Sequence, residues 1–318
     1  MTELAFAPLS YGAANVGNLY RALTDEQARE ALEAAWSVGV RYFDTAPHYG
    51  LGLSEKRLGA FLATKPRDQF TISTKAGRLL RPNPDGAGRL DDEHDFAVPA
   101  DLKRVWDFSV DGIRQSLEES LERLGLDSVD ILYLHDPERD DLGTDLATGI
   151  PGLVKLREEG LVSAIGLGSM STEALLAGAR SGALDLLMVA GRFTLAEQSA
   201  LAEVVPECRE RGIDIVTAAV FNSGLLASAS PAAGSRYDYG TVPADVLARV
   251  SAIAAICAEF DVELASAALQ YTLREPSVRT VVVGGGRPEQ IRQNADRMRA
   301  PIPEELWAAL AAGGLIPA

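Results

Sequence analysis

Eight short apolar runs punctuate this chain, each followed by a segment of helical character, and that alternation limits the folds open to it more than any other feature. The runs are LSYGA (9–13), VRYFD (40–44), FTISTK (70–75), VDILYLH (129–135), SAIGLG (163–168), LDLLMVA (184–190), IDIVTAA (213–219) and RTVVVGG (279–285). They are continuous rather than alternating, as expected for parallel strands buried on both faces. Between them, a capping box at Thr24–Gln27 opens a helix that Gly39 closes. A second helix starts near Ser54, and a third runs from about Ser109 to Gly125. Further helical patterns fall at 171–181, 195–211, 243–260, 262–274, 288–297 and 302–312. Eight such units in 318 residues predict an α/β protein, a (β/α)8 TIM barrel, as a single domain over 1–318. A doubly wound open sheet is the rival, and it requires GxGxxG directly after the first strand. GAANVG at 12–17 does not supply it. Three connections exceed ordinary turns, at 77–107, 136–149 and 219–242. All three follow strand ends, the face where barrel active sites form.

The formal net charge is −15. Such a surface repels nucleic acid and anionic membranes, so neither is expected as a partner, and any phosphate-bearing ligand must be held by local donors. The two cysteines, Cys208 and Cys257, form no CxxC pair, so no disulfide framework or thiolate metal site is expected. The start, MTELAFAPLS, lacks a basic stretch followed by an apolar core. No apolar run reaches the roughly 18 residues of a spanning helix. A cytoplasmic location is expected. His48, His94 and His135 show no metal-ligand spacing, so no metal is expected. No heptad repeat appears, and the oligomeric state stays open.

Asp44, Tyr49, Lys75 and His135 sit at or just past the ends of early strands, which a barrel would bring to one mouth. Each has an ordinary structural explanation: an Asp caps turns, a Tyr packs, a Lys points to water, a His sits satisfied in a core. Together they suit proton transfer to or from a carbonyl oxygen. A free phenol has a pKa of about 10, and a neighbouring ammonium favours its ionised form. Tyr49 is then the acid, Lys75 its tuner, Asp44 the partner of Lys75, and His135 the group that orients the substrate oxygen. A phenol supplies no electrons, so a hydride donor must lie beside it. His48 and Trp106 are candidate substrate contacts. VVVGGGRPEQIRQN (281–294) reads as a strand, three glycines and a helix opened by Pro288, a plausible phosphate cradle. FNSGLL (221–226), with Phe221 and Gly224, offers another glycine loop.

Several of these segments resemble the aldo-keto reductase family. FDTAPHYGLGLSEKRLG (43–59) resembles its signature, TISTKAG (71–77) its lysine strand and DILYLHDP (130–137) its histidine strand. AIGLGS (164–169) and the 281–294 segment resemble its later cofactor stretches. The resemblance implies a (β/α)8 barrel that binds a nicotinamide dinucleotide without a Rossmann domain. It carries catalytic roles to Asp44, Tyr49, Lys75 and His135. Cofactor roles pass to Gly12, Ala13, Ser169, Gly284, Gly285, Gln290 and Asn294, with Phe221, Gly224 and Arg287 as further candidates. Ser169 stands where an Asn usually grips the carboxamide, and Ala190 where a Gln is expected. NADP-preferring members carry Lys, Ser and Arg where this chain has Gly284, Gly285 and Gln290, so NAD is the expected cofactor and NADP the alternative. Within the family, the stretch 107–137 and VAGRFTLAEQ (189–198) resemble bacterial sugar 1-dehydrogenases and pyridoxal 4-dehydrogenases. That implies oxidation at an aldose C1. The alternatives are pyridoxal oxidation or aldehyde reduction, with Phe96, Trp106 and Phe193 stacking on a ring, and a non-catalytic cofactor-binding regulatory subunit.

Overall fold

A computed structural model describes residues 6–228, 231–232, 234–238 and 240–317. Eight parallel strands close into a barrel: β1 (Leu9–Gly12), β2 (Tyr42–Asp44), β3 (Thr71–Ala76), β4 (Val129–His135), β5 (Val162–Ser169), β6 (Leu186–Ala190), β7 (Asp214–Ala218) and β8 (Val278–Gly284). Each pairs with its neighbour in the chain, and β8 closes onto β1 with Gly12 opposite Gly284. Tyr42, Ile131, Tyr133, Met188 and Val216 fill the interior. Their continuous apolar runs exist because each strand packs inward on these side chains and outward on a helix. A polar thread through this core is satisfied: the Tyr42 hydroxyl lies 2.9 Å from the Ser73 hydroxyl and 3.2 Å from that of Tyr133.

The outer ring contains α1 (Asp25–Ser37), α2 (Leu53–Leu62), α3 (Val110–Leu124), α4 (Leu142–Glu158), α5 (Thr172–Arg180), α6 (Val204–Arg211), α7 (Ala244–Glu259), α8 (Leu264–Tyr271), α9 (Pro288–Arg299) and α10 (Glu304–Ala312). The Thr24 capping box is formed, with both its side-chain-to-backbone bonds, and the Ser109 hydroxyl accepts from the Gly112 amide. None of the described helices is long and apolar enough to cross a membrane.

Two expectations change. The segment 136–149 is not a long loop, because α4 already begins at Leu142, capped by Asp141. Gly143, Gly149, Pro151 and Gly152 broke its helical pattern in the sequence, yet Pro151 is tolerated inside the helix and Gly152 lies against Ile113 of α3. Conversely, 195–203 is irregular apart from a short 3-10 turn at Ser199–Leu201, and α6 starts only at Val204.

The connection 77–107 is ordered as two antiparallel ribbons, Arg78–Pro82 against Leu102–Trp106 and Leu90–Asp91 against Phe96–Pro99. The connection 219–242 carries a small ribbon, Arg236–Tyr237 against Gly240–Thr241. Residues 229, 230, 233 and 239 of that segment lie outside the described ones.

The β2–α2 loop that bears Tyr49 is tightly held. The Ser54 amide donates to the Tyr49 carbonyl (3.2 Å) and the Gly52 amide to that of Pro47 (2.9 Å). Glu55 of α2 is fully buried, accepting from Thr74 Oγ1 at 2.7 Å and from Arg123 Nε at 2.6 Å, so one carboxylate ties α2 to β3 and α3. Gly50 adopts a left-handed φ of 61°, and a Cβ there would stand 2.1 Å from the Gly17 carbonyl oxygen. Strain and overlap act together, so Gly50→Ala is expected to lower stability by about 3 kcal/mol. Urea unfolding checks this, and an unchanged midpoint would contradict the packing described for the loop.

Candidate active site at the barrel mouth

Asp44 ends β2 and Lys75 lies near the end of β3. With the alternation of strand side chains, both point into the barrel. Lys75 Nζ donates to Asp44 Oδ2 at 2.6 Å and to the Thr45 carbonyl at 2.8 Å. Ser73 Oγ donates to Asp44 Oδ1 at 2.7 Å. Both charged side chains are buried, with exposures of 2% and 3%. Burial lowers the Lys75 pKa from its ordinary value, against the opposing pull of Asp44.

Tyr49 lies above this pair. The Lys75 ammonium is 4.8 Å from the centre of its ring, and the His135 imidazole meets that ring edge-on at 6.0 Å between centres. The four residues singled out in the sequence therefore converge. Burial, then Asp44 and Asp136, raise the Tyr49 pKa well above its ordinary value, with Arg78 acting the other way. Asp44 meets the Lys75 charge at hydrogen-bond distance, so little of that charge is left to favour a phenolate. His135 is held neutral, its pKa pushed well below 6.5 by burial and by Arg78 and Lys75.

The 78–106 ribbons wall one side of the mouth. Phe96 packs edge-on against His48 with ring centres 5.4 Å apart, and also faces Tyr49 at 6.3 Å. His48 in turn lies 5.7 Å from His135 and 5.4 Å from His94. Burial, then Arg78 and Arg104, hold it neutral as well. Arg104 forks onto Asp91 at 2.8 and 2.6 Å and donates to the His48 carbonyl at 2.8 Å. Arg78 pairs with Asp136, the residue after His135, and its guanidinium covers the Trp106 ring at 4.6 Å. Trp106 is thus occupied by Arg78 and by Phe108, which stacks on it at 5.9 Å. Phe193 is not at the mouth: it is 3% exposed and packs on Tyr271 in the core.

Arg78, Arg104, Asp91 and Asp136 escaped the sequence reading. An arginine in a charged loop carries no periodic signal. Only the adjacency of Asp136 to His135 and the short distance from Lys75 to Arg78 along the chain pointed at them. Among the described residues no three His, Cys, Asp or Glu side chains form a cluster able to hold a metal.

The residues assigned to a cofactor lie at the ends of β1, β5 and β8, in the loop after β7 and on α9. Gly12 and Gly284 face each other across the β1–β8 seam, and the Tyr11 hydroxyl donates to the Gly285 carbonyl at 2.6 Å, fixing the glycine turn. Ala13 is fully buried, and its carbonyl accepts from Ser54 Oγ at 2.8 Å, so it shapes the β1 loop. Asn294 is buried on α9 and shares a small crevice with Gly284. Arg287 and Gln290 line a cleft of about 290 Å³ with Asn15, Tyr20 and Arg21. Phe221 packs beside Val220 and Leu269, and Gly224 turns the β7 loop with a φ of 93°. Ser169 Oγ donates to Glu138 Oε1 at 2.7 Å. Two buried polar atoms beside these residues have no partner, Glu138 Oε2 and Asn222 Nδ2. The donors, the unpartnered atoms and the glycine seam suit a ligand with amide and phosphate groups.

Comparison with known proteins agrees with this geometry. Residues 8–313 match the Aldo/keto reductase family. A D-threo-aldose 1-dehydrogenase from a Pseudomonas species is 59% identical, over 99% of this chain and 96% of its own. A pyridoxal 4-dehydrogenase from Microbacterium luteolum is 37% identical, again over 99% and 96%. Among solved structures, the holo form of an aldo-keto reductase from Bacillus halodurans superposes with a TM-score of 0.77 at 22% identity, covering 100% of this chain and 95% of that one. The chain belongs to the Aldo/keto reductase family and is a nicotinamide-dependent oxidoreductase.

Proposed function

We propose that this enzyme oxidises the C1 hydroxyl of an aldopyranose to a lactone, with NAD as the hydride acceptor. The observation that carries the chemistry is the buried Asp44–Lys75 pair directly beneath the Tyr49 ring. The substrate class is supported by the 59% identical relative, which is named for D-threo-aldoses.

A bound nicotinamide dinucleotide supplies the two-electron acceptor. The seam of Gly12, Gly284 and Gly285 would take its backbone close, with Gly224 and Phe221 on the opposing loop. Arg287, Gln290 and Asn294 would hold its adenosine end. NAD is favoured because Gly284, Gly285 and Gln290 offer no charge to a 2′-phosphate. Arg21 and Arg287 are the cations lining that cleft.

The chain's own groups manage the proton. Tyr49 Oη takes the proton of the sugar hydroxyl as the C1 hydride leaves, and returns one in the reverse reaction. Neutral His135, with Nδ1 unpartnered, hydrogen-bonds the reacting oxygen. Lys75 and Asp44 hold the floor of the site rigid and dry. His48 and the Arg78–Asp136 pair face the sugar's other hydroxyls. The pyridoxal reading keeps the same machinery, with the Phe96 and His48 rings flanking a flat substrate, and a substrate panel separates the two. A purely regulatory role has no use for this assembly.

In steady-state assays L-fucose with NAD is expected to outpace both pyridoxal with NAD and NADPH-driven aldehyde reduction; dominant aldehyde reduction would overturn the oxidative reading. NADP is expected to be at least about tenfold poorer in kcat/KM than NAD. Tyr49→Phe should retain NAD binding by calorimetry while turnover falls by about three orders of magnitude. Because the Tyr49 pKa is raised, the base form is scarce at neutral pH and grows as pH rises. Log kcat/KM for sugar oxidation is therefore expected to climb with a slope near one from about pH 7 to 9. A flat profile would remove Tyr49 as the base.

A further inference from the structure

We propose that Glu138 accepts the amide N–H of the nicotinamide carboxamide, so that a carboxylate rather than a side-chain amide sets the face of the ring presented to the substrate. The assignment rests on the dehydrogenase reading above and extends it to a residue that neither the sequence nor that reading supplied.

Glu138 lies on the 3-10 turn Pro137–Arg139 that follows β4, three residues past His135. Its Oε1 accepts from Ser169 Oγ at the end of β5 (2.7 Å). Ser169 Oγ itself accepts from the Ser171 amide at 2.8 Å. A hydroxyl has one hydrogen, and here it is committed to Glu138. Ser169 therefore cannot donate to a ligand while it holds this carboxylate, and acts as the anchor of Glu138. The other oxygen, Oε2, is buried and unpartnered. A buried carboxylate oxygen without a donor is costly, and burial accordingly raises the Glu138 pKa.

The unpartnered atoms at the mouth divide by chemistry. Arg78 Nε, Arg104 Nε and Asn222 Nδ2 are donors, and the ring nitrogens of His48 and His135 serve either way. Glu138 Oε2 is the acceptor-only atom among them. The ribbons that carry Phe96 and Arg104 close the β2–β3 side, around His48. Glu138 and Ser169 stand on the β4–β5 side, and Ala190 at the end of β6 adds only a methyl group. A nicotinamide ring that presents its reacting carbon next to Tyr49 and His135 has one polar substituent to place against that wall, the carboxamide. Its NH2 group is the donor that Oε2 lacks.

The test compares NAD with 3-acetylpyridine adenine dinucleotide, in which a methyl group replaces the amide NH2. Both are titrated calorimetrically into wild type, Glu138→Ala, Glu138→Gln and Ser169→Ala. Glu138→Gln keeps the side chain's size, and thermal melts of each variant report its fold. Wild type should bind NAD more tightly than the analogue. Glu138→Ala should lose about tenfold or more in NAD affinity and change the analogue by less than about threefold, so that the preference collapses. Ser169→Ala, which only frees the carboxylate, should show a smaller loss with the same selectivity. Equal losses for both dinucleotides, or none, overturn the assignment. A rise in sugar KM with NAD binding intact overturns it too, moving Glu138 to the substrate. Wild type that fails to bind NAD at all overturns the dehydrogenase reading together with this assignment, whereas NAD binding with an unaltered preference in Glu138→Ala overturns the assignment alone.

Discussion

The buried ion pair between Lys75 and Asp44 is the contact on which the rest of the mouth depends. Both ions have left water, and neither could stay charged there alone. Ser73, the Thr45 carbonyl and the facing charge complete each other's hydrogen bonds. Removing one partner of such a pair typically costs about 3–5 kcal/mol, whereas an apolar replacement of both is often neutral. Stability therefore does not explain its presence. What it provides is a floor of fixed charge under Tyr49, and the adjacent strands β2 and β3 deliver it in register, with Asp44 opposite Ser73.

The surroundings of that floor follow from the same economy of charge. The two arginines of the ribbon wall are each matched by a carboxylate: Arg78 by Asp136 and Arg104 by Asp91. The wall is polar, but its charges cancel locally, and both buried imidazoles stay neutral beside it. Such a wall offers hydrogen bonds to hydroxyl groups without attracting an anionic substrate. The tight β2–α2 loop, held by Gly17, Gly50 and Glu55, keeps Tyr49 in place while the ribbons after β3 cover it.

The barrel was legible because eight apolar runs with helical segments between them admit few other closed solutions, and the strand at 129–135 falls where its pattern put it. The quartet at the mouth was legible because strand ends converge in any such barrel. Helix α4 was obscured by its own glycines and proline, whose acceptance inside a helix depends on packing that no local pattern reveals. Arg78, Arg104, Asp91 and Glu138 were hidden for a related reason. They reach the mouth from loops and turns, where spacing along the chain says nothing about direction in space. The adjacency of charges around Tyr49 was visible in the residue types, but the weight of its burial, which raises its pKa, was not.

The most direct measurement is the titration of the Tyr49 phenol itself. Carbon-13 NMR of the ring carbon bearing the hydroxyl, assigned by its loss in Tyr49→Phe, reads that ionisation site by site. The account predicts that in the cofactor-free protein Tyr49 titrates above the ordinary tyrosine value of about 10, and that Asp44→Asn, which removes a raising charge and leaves the ammonium, shifts the titration downward. A wild-type phenol that ionises below that ordinary value, or a titration indifferent to Asp44→Asn, would contradict it.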